Sequence, residues 1–297
     1  MLDLNRITDG DIHTLADFAE LLCLLKPDRV LSADDLDDHL VDECGEQRDS
    51  RPLGDAFAHM AWRQAAFDAY YPFAVAANQQ SITAPDNLTV EQQTYAFLLL
   101  CANLPFVGAP YTPLTDAFER LAHLALKRMW PAKATIKTFG KNNADYNGNK
   151  SERMRKLALD IGCRPTVDPA KFRPRDSGDG GIDLAGWLEL DEHESENKLT
   201  CLAQCACSRS DWNSKQSEIS RERIGKLFNP TAPWLEMLCI PICFRNNNGR
   251  WAFDADVGEI IMIDRLRLLQ FIEPADLAAI TPPPLLNKFL LSRLESV

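Results

Sequence analysis

Hydrophobic residues in the first 113 positions recur every three or four residues, which is the spacing of an amphipathic helix. This pattern predicts helices at about residues 10–26, 33–44, 53–78 and 89–104. Pro110 and Pro113 then predict a break in the chain. Residues 1–113 are therefore expected to form a helical region, and they contain no motif for chemistry. A regulatory or partner-binding role is expected for this region.

The hydrophobic pattern changes from about residue 114 onward. Helices are predicted at 115–130, 151–161 and 210–228, with a polar loop at 137–150. Strands are predicted at 182–190, 198–207 and 237–244, and the segment 259–272 is predicted to pass from strand to helix. This order indicates an α/β sandwich with a small mixed central sheet, forming a second domain over residues 114–297.

Composition indicates a globular protein of one large or two modest domains. The chain has 297 residues, of which 45% are hydrophobic and 25% are charged. No apolar run approaches the roughly 20 residues of a membrane helix, and the acidic N-terminus does not resemble a secretory signal. The nine cysteines are an odd number with apolar neighbours, which favours reduced thiols and a cytoplasmic location without a membrane partner.

The net charge of −11 hides an asymmetry along the chain. Residues 1–60 contain 15 acidic and 5 basic side chains, whereas residues 119–175 contain 14 basic and 5 acidic ones. The basic segment could follow the phosphate backbone of a nucleic acid. Alternatively, its lysines and arginines simply coat exposed helices.

The residues most indicative of chemistry lie at two predicted strands. Asp183 begins a strand after a glycine-rich bend, and Gln204 lies near the end of a buried strand. The polar turn between these strands predicts a hairpin that places the two side chains together. A carboxylate, an amide oxygen and the carbonyl of Cys205 would suit Mg²⁺ or Mn²⁺. The alternatives are a turn aspartate and a structurally hydrogen-bonded glutamine.

The segments GDGGID, with Asp183, and AQCA, with Gln204, resemble the restriction-endonuclease-like PD-(D/E)XK nucleases. The family pattern has Asp at the start of the second core strand and Glu, Asp or Gln in the third. The Gln variant is similar to Mrr-type restriction enzymes. The helix segment DAFERLA resembles the family's first helix and offers Glu119. The resemblance covers about residues 114–270 and implies DNA cleavage, in bacterial restriction or phage defence.

One position departs from the family pattern. The usual lysine, two residues after the glutamine, is replaced by Ala206. The resemblance allows a lysine to migrate to the next helix, which makes Lys215 the candidate and Arg209 the second choice. The implied catalytic residues are then Asp183, Gln204, Lys215 and Glu119. The implied metal ligands are Asp183, Gln204, Glu119 and the Cys205 carbonyl.

Several alternatives remain open from sequence. A degenerate nuclease fold could bind nucleic acid or assemble with a partner without cutting, and a purely structural protein or a homo-oligomer is a further option. Asp179 could be another ligand or could shape the turn, and His193 is a weak candidate for pairing with a cysteine nucleophile. Arg265 and Arg267 could contact phosphate or close the fold. The CxxxC and CxC spacings of the C-terminal cysteines are not those of common zinc sites: Cys201, Cys205, Cys207, Cys239 and Cys243.

Overall fold

The computed structural model describes residues 11–42, 52–107, 110–139, 145–165, 170, 180–280 and 284–292. Its packing divides the chain into two compact units. The first unit comprises Met1–Phe118, Pro241–Ala252 and Ile272–Val297, and the second comprises Glu119–Ile240 and Phe253–Phe271. The domain boundary between residues 113 and 114 stays a prediction.

Helices and strands alternate irregularly along the chain. In chain order they are α1 (Ile12–Leu25), β1 (Val30–Ser32), α2 (Ala33–Asp42), α3 (Leu53–Phe67), β2 (Ala74–Val75), β3 (Ser81–Thr83), α4 (Val90–Ala102), α5 (Thr112–Met129), β4 (Thr135–Thr138), α6 (Lys150–Asp160), β5 (Leu184–Leu188), β6 (Leu199–Cys205), α7 (Trp212–Lys215), α8 (Arg221–Ile224), β7 (Leu235–Cys239), β8 (Ile261–Ile263), α9 (Arg265–Leu269), α10 (Asp276–Ala279) and α11 (Pro284–Leu291). The mixed α/β class predicted from sequence is confirmed.

The helices of the first unit begin where short polar side chains can cap them. Asp11 accepts hydrogen bonds from the backbone N–H groups that open α1, and Thr89 with Gln92 forms a capping box at α4.

The long helix predicted over 53–78 is wrong in its second half. α3 ends at Phe67, because Asp68 adopts a positive φ of 47° that does not continue a helix.

The first unit also contains a small sheet, so the prediction of a purely helical region is wrong. Strands β1, β3 and β2 pair antiparallel in that order. Each strand is two or three residues long, which is too short for an alternating hydrophobic pattern to be visible in the sequence.

The second unit is built on a five-stranded sheet with the order β4-β5-β6-β7-β8. The first three strands form an antiparallel meander, and β7 and β8 then continue parallel to β6. The predicted mixed sheet is thus confirmed. The loop predicted over 137–150 is wrong at its start, since Lys137 and Thr138 belong to β4.

One face of this sheet is covered by α6 and by the segment after β6. The core there includes Met154 and Leu157 of α6, Ala185 and Leu202 of the sheet, and Ile219. The helix predicted over 151–161 is confirmed by α6, and Gly162 follows it with a φ of +73°.

The single helix predicted over 210–228 is wrong. This segment is broken into α7, a 3-10 turn at Gln216–Ile219 and α8. Ser220 is extended, with φ −60° and ψ 145°, and its side chain caps α8. Among the residues that the structure describes, no helix combines the length and hydrophobicity that a membrane crossing requires.

Candidate functional site

A bend at two glycines places Asp183 immediately before β5. Gly180 and Gly181 have φ values of +77° and +87°, a region in which other residues are strained. The Asp183 backbone then continues the sheet, because its N–H donates to Ala203 O at 3.0 Å. Its side chain turns to the end of β6, where Oδ2 accepts a hydrogen bond from the N–H of Cys205 at 2.7 Å.

The antiparallel pairing of β5 with β6 brings Gln204 to the same end of the sheet. Leu184 pairs with Ala203, so Gln204 lies one residue beyond the last paired position, across from Asp183. Gln204 is only 4% exposed. Its Nε2 donates to Glu218 Oε2 at 2.7 Å, while Oε1 is buried and accepts no hydrogen bond from any described residue.

A buried amide oxygen without a partner is uncommon in a folded protein. Hydrogen bonding to a donor or coordination of a cation would compensate for its lost hydration. The Gln204 oxygen therefore fits a hard divalent cation such as Mg²⁺ or Mn²⁺, which prefers oxygen ligands.

Lys215 is connected to Gln204 through a residue that the sequence did not single out. Its Nζ lies 3.3 Å from Glu218 Oε1, and the Lys215 and Glu218 side chains are 36% and 24% exposed. The 3-10 turn that follows α7 places Glu218 at the end of β6, so Glu218 contacts Gln204 directly and Lys215 contacts Gln204 only through Glu218. The second candidate, Arg209, is half-buried between β6 and α7.

Glu119 is half-buried on α5, and its negative charge acts on the thiols of Cys205 and Cys207 at the end of β6. Burial raises the pKa of the Cys207 thiol, and the negative charges of Glu119 and Asp183 raise it further. The pKa of Cys205 is also raised, first by a hydrogen bond with Cys239, then by burial and by nearby charges that include the same two carboxylates. The carboxylates of Glu119 and Asp183 thus act on the same two thiols. Because a raised pKa keeps a thiol neutral, Cys205 and Cys207 are poor nucleophiles.

Three carboxylates, those of Glu119, Asp183 and Glu218, act near the end of β6, and Lys215 pairs with Glu218. Over the described ranges, no three His, Cys, Asp or Glu side chains are grouped so that they could hold a metal ion. The set predicted from sequence does not depend on such a group, because two carboxylates are completed by an amide oxygen and a backbone carbonyl.

The basic segment 119–175 divides into structural and exposed cations. Lys137 pairs with Asp160 at 3.2 Å, and Arg153 is buried and donates to the carbonyl of Phe139. These residues hold the fold together. By contrast, Arg155 on α6 and Lys127 on α5 are exposed. Among the described cations of this segment, the exposed ones are accessible to a phosphate backbone.

The remaining candidates differ in where the structure places them. His193 is exposed in the turn after β5, where its backbone N–H donates to Asp191 Oδ1. Arg265 is fully buried, whereas Arg267 is exposed and donates to Met262 O at 2.8 Å. Asp179 lies outside the described residues. Five cysteines of the strands and their ends are not part of a disulfide: Cys201, Cys205, Cys207, Cys239 and Cys243.

No family model, no curated protein and no solved structure matches this chain. Its function is therefore inferred from the sheet topology, the site geometry and the sequence motif.

Proposed function

We propose that this chain is a divalent-metal-dependent nuclease that hydrolyses phosphodiester bonds in DNA. One observation carries the proposal. The Asp183 carboxylate accepts a hydrogen bond from the N–H of Cys205 at 2.7 Å, and Gln204, whose buried amide oxygen has no described partner, lies across the strand pair from Asp183. The sheet order supports it, because β4, β5 and β6 provide three consecutive core strands with Asp183 at the start of the second and Gln204 in the third.

The residues at this end of the sheet have complementary tasks. Asp183, Gln204, Glu119 and the Cys205 carbonyl would hold Mg²⁺ or Mn²⁺. When bound, the metal would lower the pKa of a coordinated water and neutralise charge developing on the scissile phosphate. The Lys215 ammonium would donate hydrogen bonds to the attacking water or to a phosphate oxygen. Exposed cations of α5 and α6 would bind the DNA backbone.

The biological setting is proposed from the family resemblance. Mrr-like nucleases act in bacterial restriction and phage defence, which would place this chain with DNA in the cytoplasm. A protein partner is proposed for the first unit.

The test is cleavage of plasmid and single-stranded DNA by the full chain with Mg²⁺ or Mn²⁺. Asp183→Asn is expected to reduce metal-dependent cleavage by about a hundredfold or more, because a metal ligand and its charge are lost. The control is Asp254→Asn, which removes the charge of an exposed aspartate in the same unit. Equal cleavage by the two variants would reject Asp183 as the centre of the site.

A second candidate function is a catalytically inactive subunit that binds nucleic acid. Two observations favour it. Ala206 occupies the usual lysine position, and the ammonium of Lys215 is paired with Glu218 at 3.3 Å. This function predicts that DNA binding weakens as the salt concentration rises. It also predicts equal DNA affinity in wild type and Asp183→Asn, and no cleavage with Mg²⁺ or Mn²⁺.

A further inference from the structure

Glu218 joins two residues of the proposed site through its two carboxylate oxygens. Oε2 accepts from Gln204 Nε2 at 2.7 Å, and Oε1 lies 3.3 Å from Lys215 Nζ. Both contacts involve a charged group, and such hydrogen bonds are shorter and stronger than those between neutral groups. Glu218 therefore restrains Gln204 and Lys215 together.

The contact with Glu218 also fixes which end of the Gln204 amide faces the metal site. A carboxamide has a donor end and an acceptor end, whereas an ionised carboxylate only accepts. Glu218 can therefore bind only the Nε2 end, and Oε1 must turn away from it. A rotated amide would present its N–H groups instead, and these would repel a cation.

Glu218 is itself held by the core and by the glycine bend. The neighbouring residue Ile219 is fully buried, and its carbonyl accepts from Trp234 Nε1 at 3.1 Å. A Cβ at Gly181 would lie 2.6 Å from Glu218 Oε2, so a larger residue there would displace the carboxylate. The same bend that leads to Asp183 thus leaves room for Glu218.

We propose that Glu218 is a positioning residue that keeps the Gln204 oxygen turned toward the metal site and the Lys215 ammonium next to it. This inference rests on the proposed function, since the metal site is part of that function. Residues that orient metal ligands through hydrogen bonds typically contribute about 10- to 100-fold in metal affinity.

The test measures Mn²⁺ binding to the full chain by calorimetry, with Glu218→Ala made in two backgrounds. With Gln204 present, Glu218→Ala is expected to weaken Mn²⁺ binding by about 10- to 100-fold. With Gln204→Glu, the same change is expected to cause no loss, because a carboxylate offers an oxygen in either orientation. Glu222→Ala is the control, since Glu222 is 90% exposed and lies 3.9 Å from Lys226.

A purely structural role for Glu218 predicts the same loss in both backgrounds, and that result would overturn the proposal. So would unchanged affinity in Glu218→Ala, or the absence of Mn²⁺ binding by wild type. If Glu218→Ala does not fold, judged by circular dichroism, Glu218→Gln replaces it. This variant keeps the size of the side chain but allows both amide orientations. A smaller loss is then expected with Gln204 present, and no loss is expected in the Gln204→Glu background.

The two proposals fail in different ways. In the first case, Mn²⁺ binding needs Asp183, Glu218→Ala weakens it only when Gln204 is present, and no DNA is cleaved. This result would reject the nuclease and retain the role of Glu218. Cleavage that needs Asp183, together with a Glu218→Ala affinity equal to that of wild type, would reject only the role of Glu218.

Discussion

Each unit contains a cation paired with a glutamate, but the two pairs differ in burial. In the first unit, Arg63 donates to Asp17 at 2.6 Å and to Glu20 at 2.8 Å, and all three side chains are fully buried. In the second unit, Lys215 lies 3.3 Å from Glu218, and both side chains are partly exposed. Removing one partner of the buried pair would leave an uncompensated charge in the interior, whereas partial exposure leaves the second pair accessible to a substrate.

The two clusters also differ in which atoms lack partners. In the first unit, Glu20 accepts hydrogen bonds from Arg63, Tyr71 and Tyr95. The atoms of that cluster without a described partner are Nε and Nη2 of the Arg63 guanidinium, which are donors and repel a metal ion, and Oδ1 of Asn103, whose Nδ2 donates to Asp17. In the second unit, the Gln204 oxygen is the matching amide oxygen. Because the Arg63 guanidinium already neutralises the carboxylates of the first cluster, the comparison favours a metal ion only for the second.

The largest expected effect on stability comes from breaking the buried cluster. Arg63→Met leaves the carboxylates of Asp17 and Glu20 in the interior without their cation. We expect a loss of about 3–5 kcal/mol in the free energy of unfolding, measured by urea denaturation. The control is Arg250→Met, at an exposed arginine of the same unit. A loss below about 1 kcal/mol would show that the buried ions are not mutually stabilising.

Much of the fold could be predicted because several elements carry their signals locally. α1, α4 and α6 combine helical periodicity with caps at Asp11, Thr89 and Asn149. β4 could not be predicted in this way. It is only four residues long, and it is specified by its pairing with β5 rather than by its own hydrophobic pattern.

The candidate site shows the same limit. Asp183 and Gln204 were identified because a glycine bend and a polar residue in an apolar strand are visible in the sequence. Glu218 was not identified, since in sequence it resembles any solvated glutamate on a helix. Its contact with Gln204, 14 residues earlier in the chain, forms because the 3-10 turn after α7 places Glu218 at the end of β6.

A smaller effect on stability is expected from pH, through His59 in the first unit. Burial, followed by the charge of Arg63, lowers the pKa of His59 from 6.5 to about 2. Below pH 6.5, His59 of the unfolded chain therefore takes up a proton that the folded protein excludes. The free energy of unfolding consequently decreases as the pH is lowered. Between pH 7.5 and 5.5 this group accounts for a loss of about 1.4 kcal/mol.

The measurement compares urea denaturation of wild type and His59→Gln at both pH values. The variant lacks the titrating group and should lose about 1.4 kcal/mol less than wild type over this range. Exposed His193→Gln is the control and should follow wild type. Identical pH dependence in wild type and His59→Gln would mean that folding does not lower the pKa of His59.

The smallest expected effect on stability is that of Lys215→Met, the counterpart of Arg63→Met in the second unit. The ion pair with Glu218 is partly exposed, so its loss should change the free energy of unfolding by less than about 1 kcal/mol. Metal-dependent DNA cleavage should nevertheless fall by about a hundredfold, because a charge-stabilising donor is removed. Lys226→Met, at a lysine that is 73% exposed, should leave both quantities unchanged. A large loss of stability in Lys215→Met would make its ion pair structural like that of Arg63, and the difference between the two clusters would disappear.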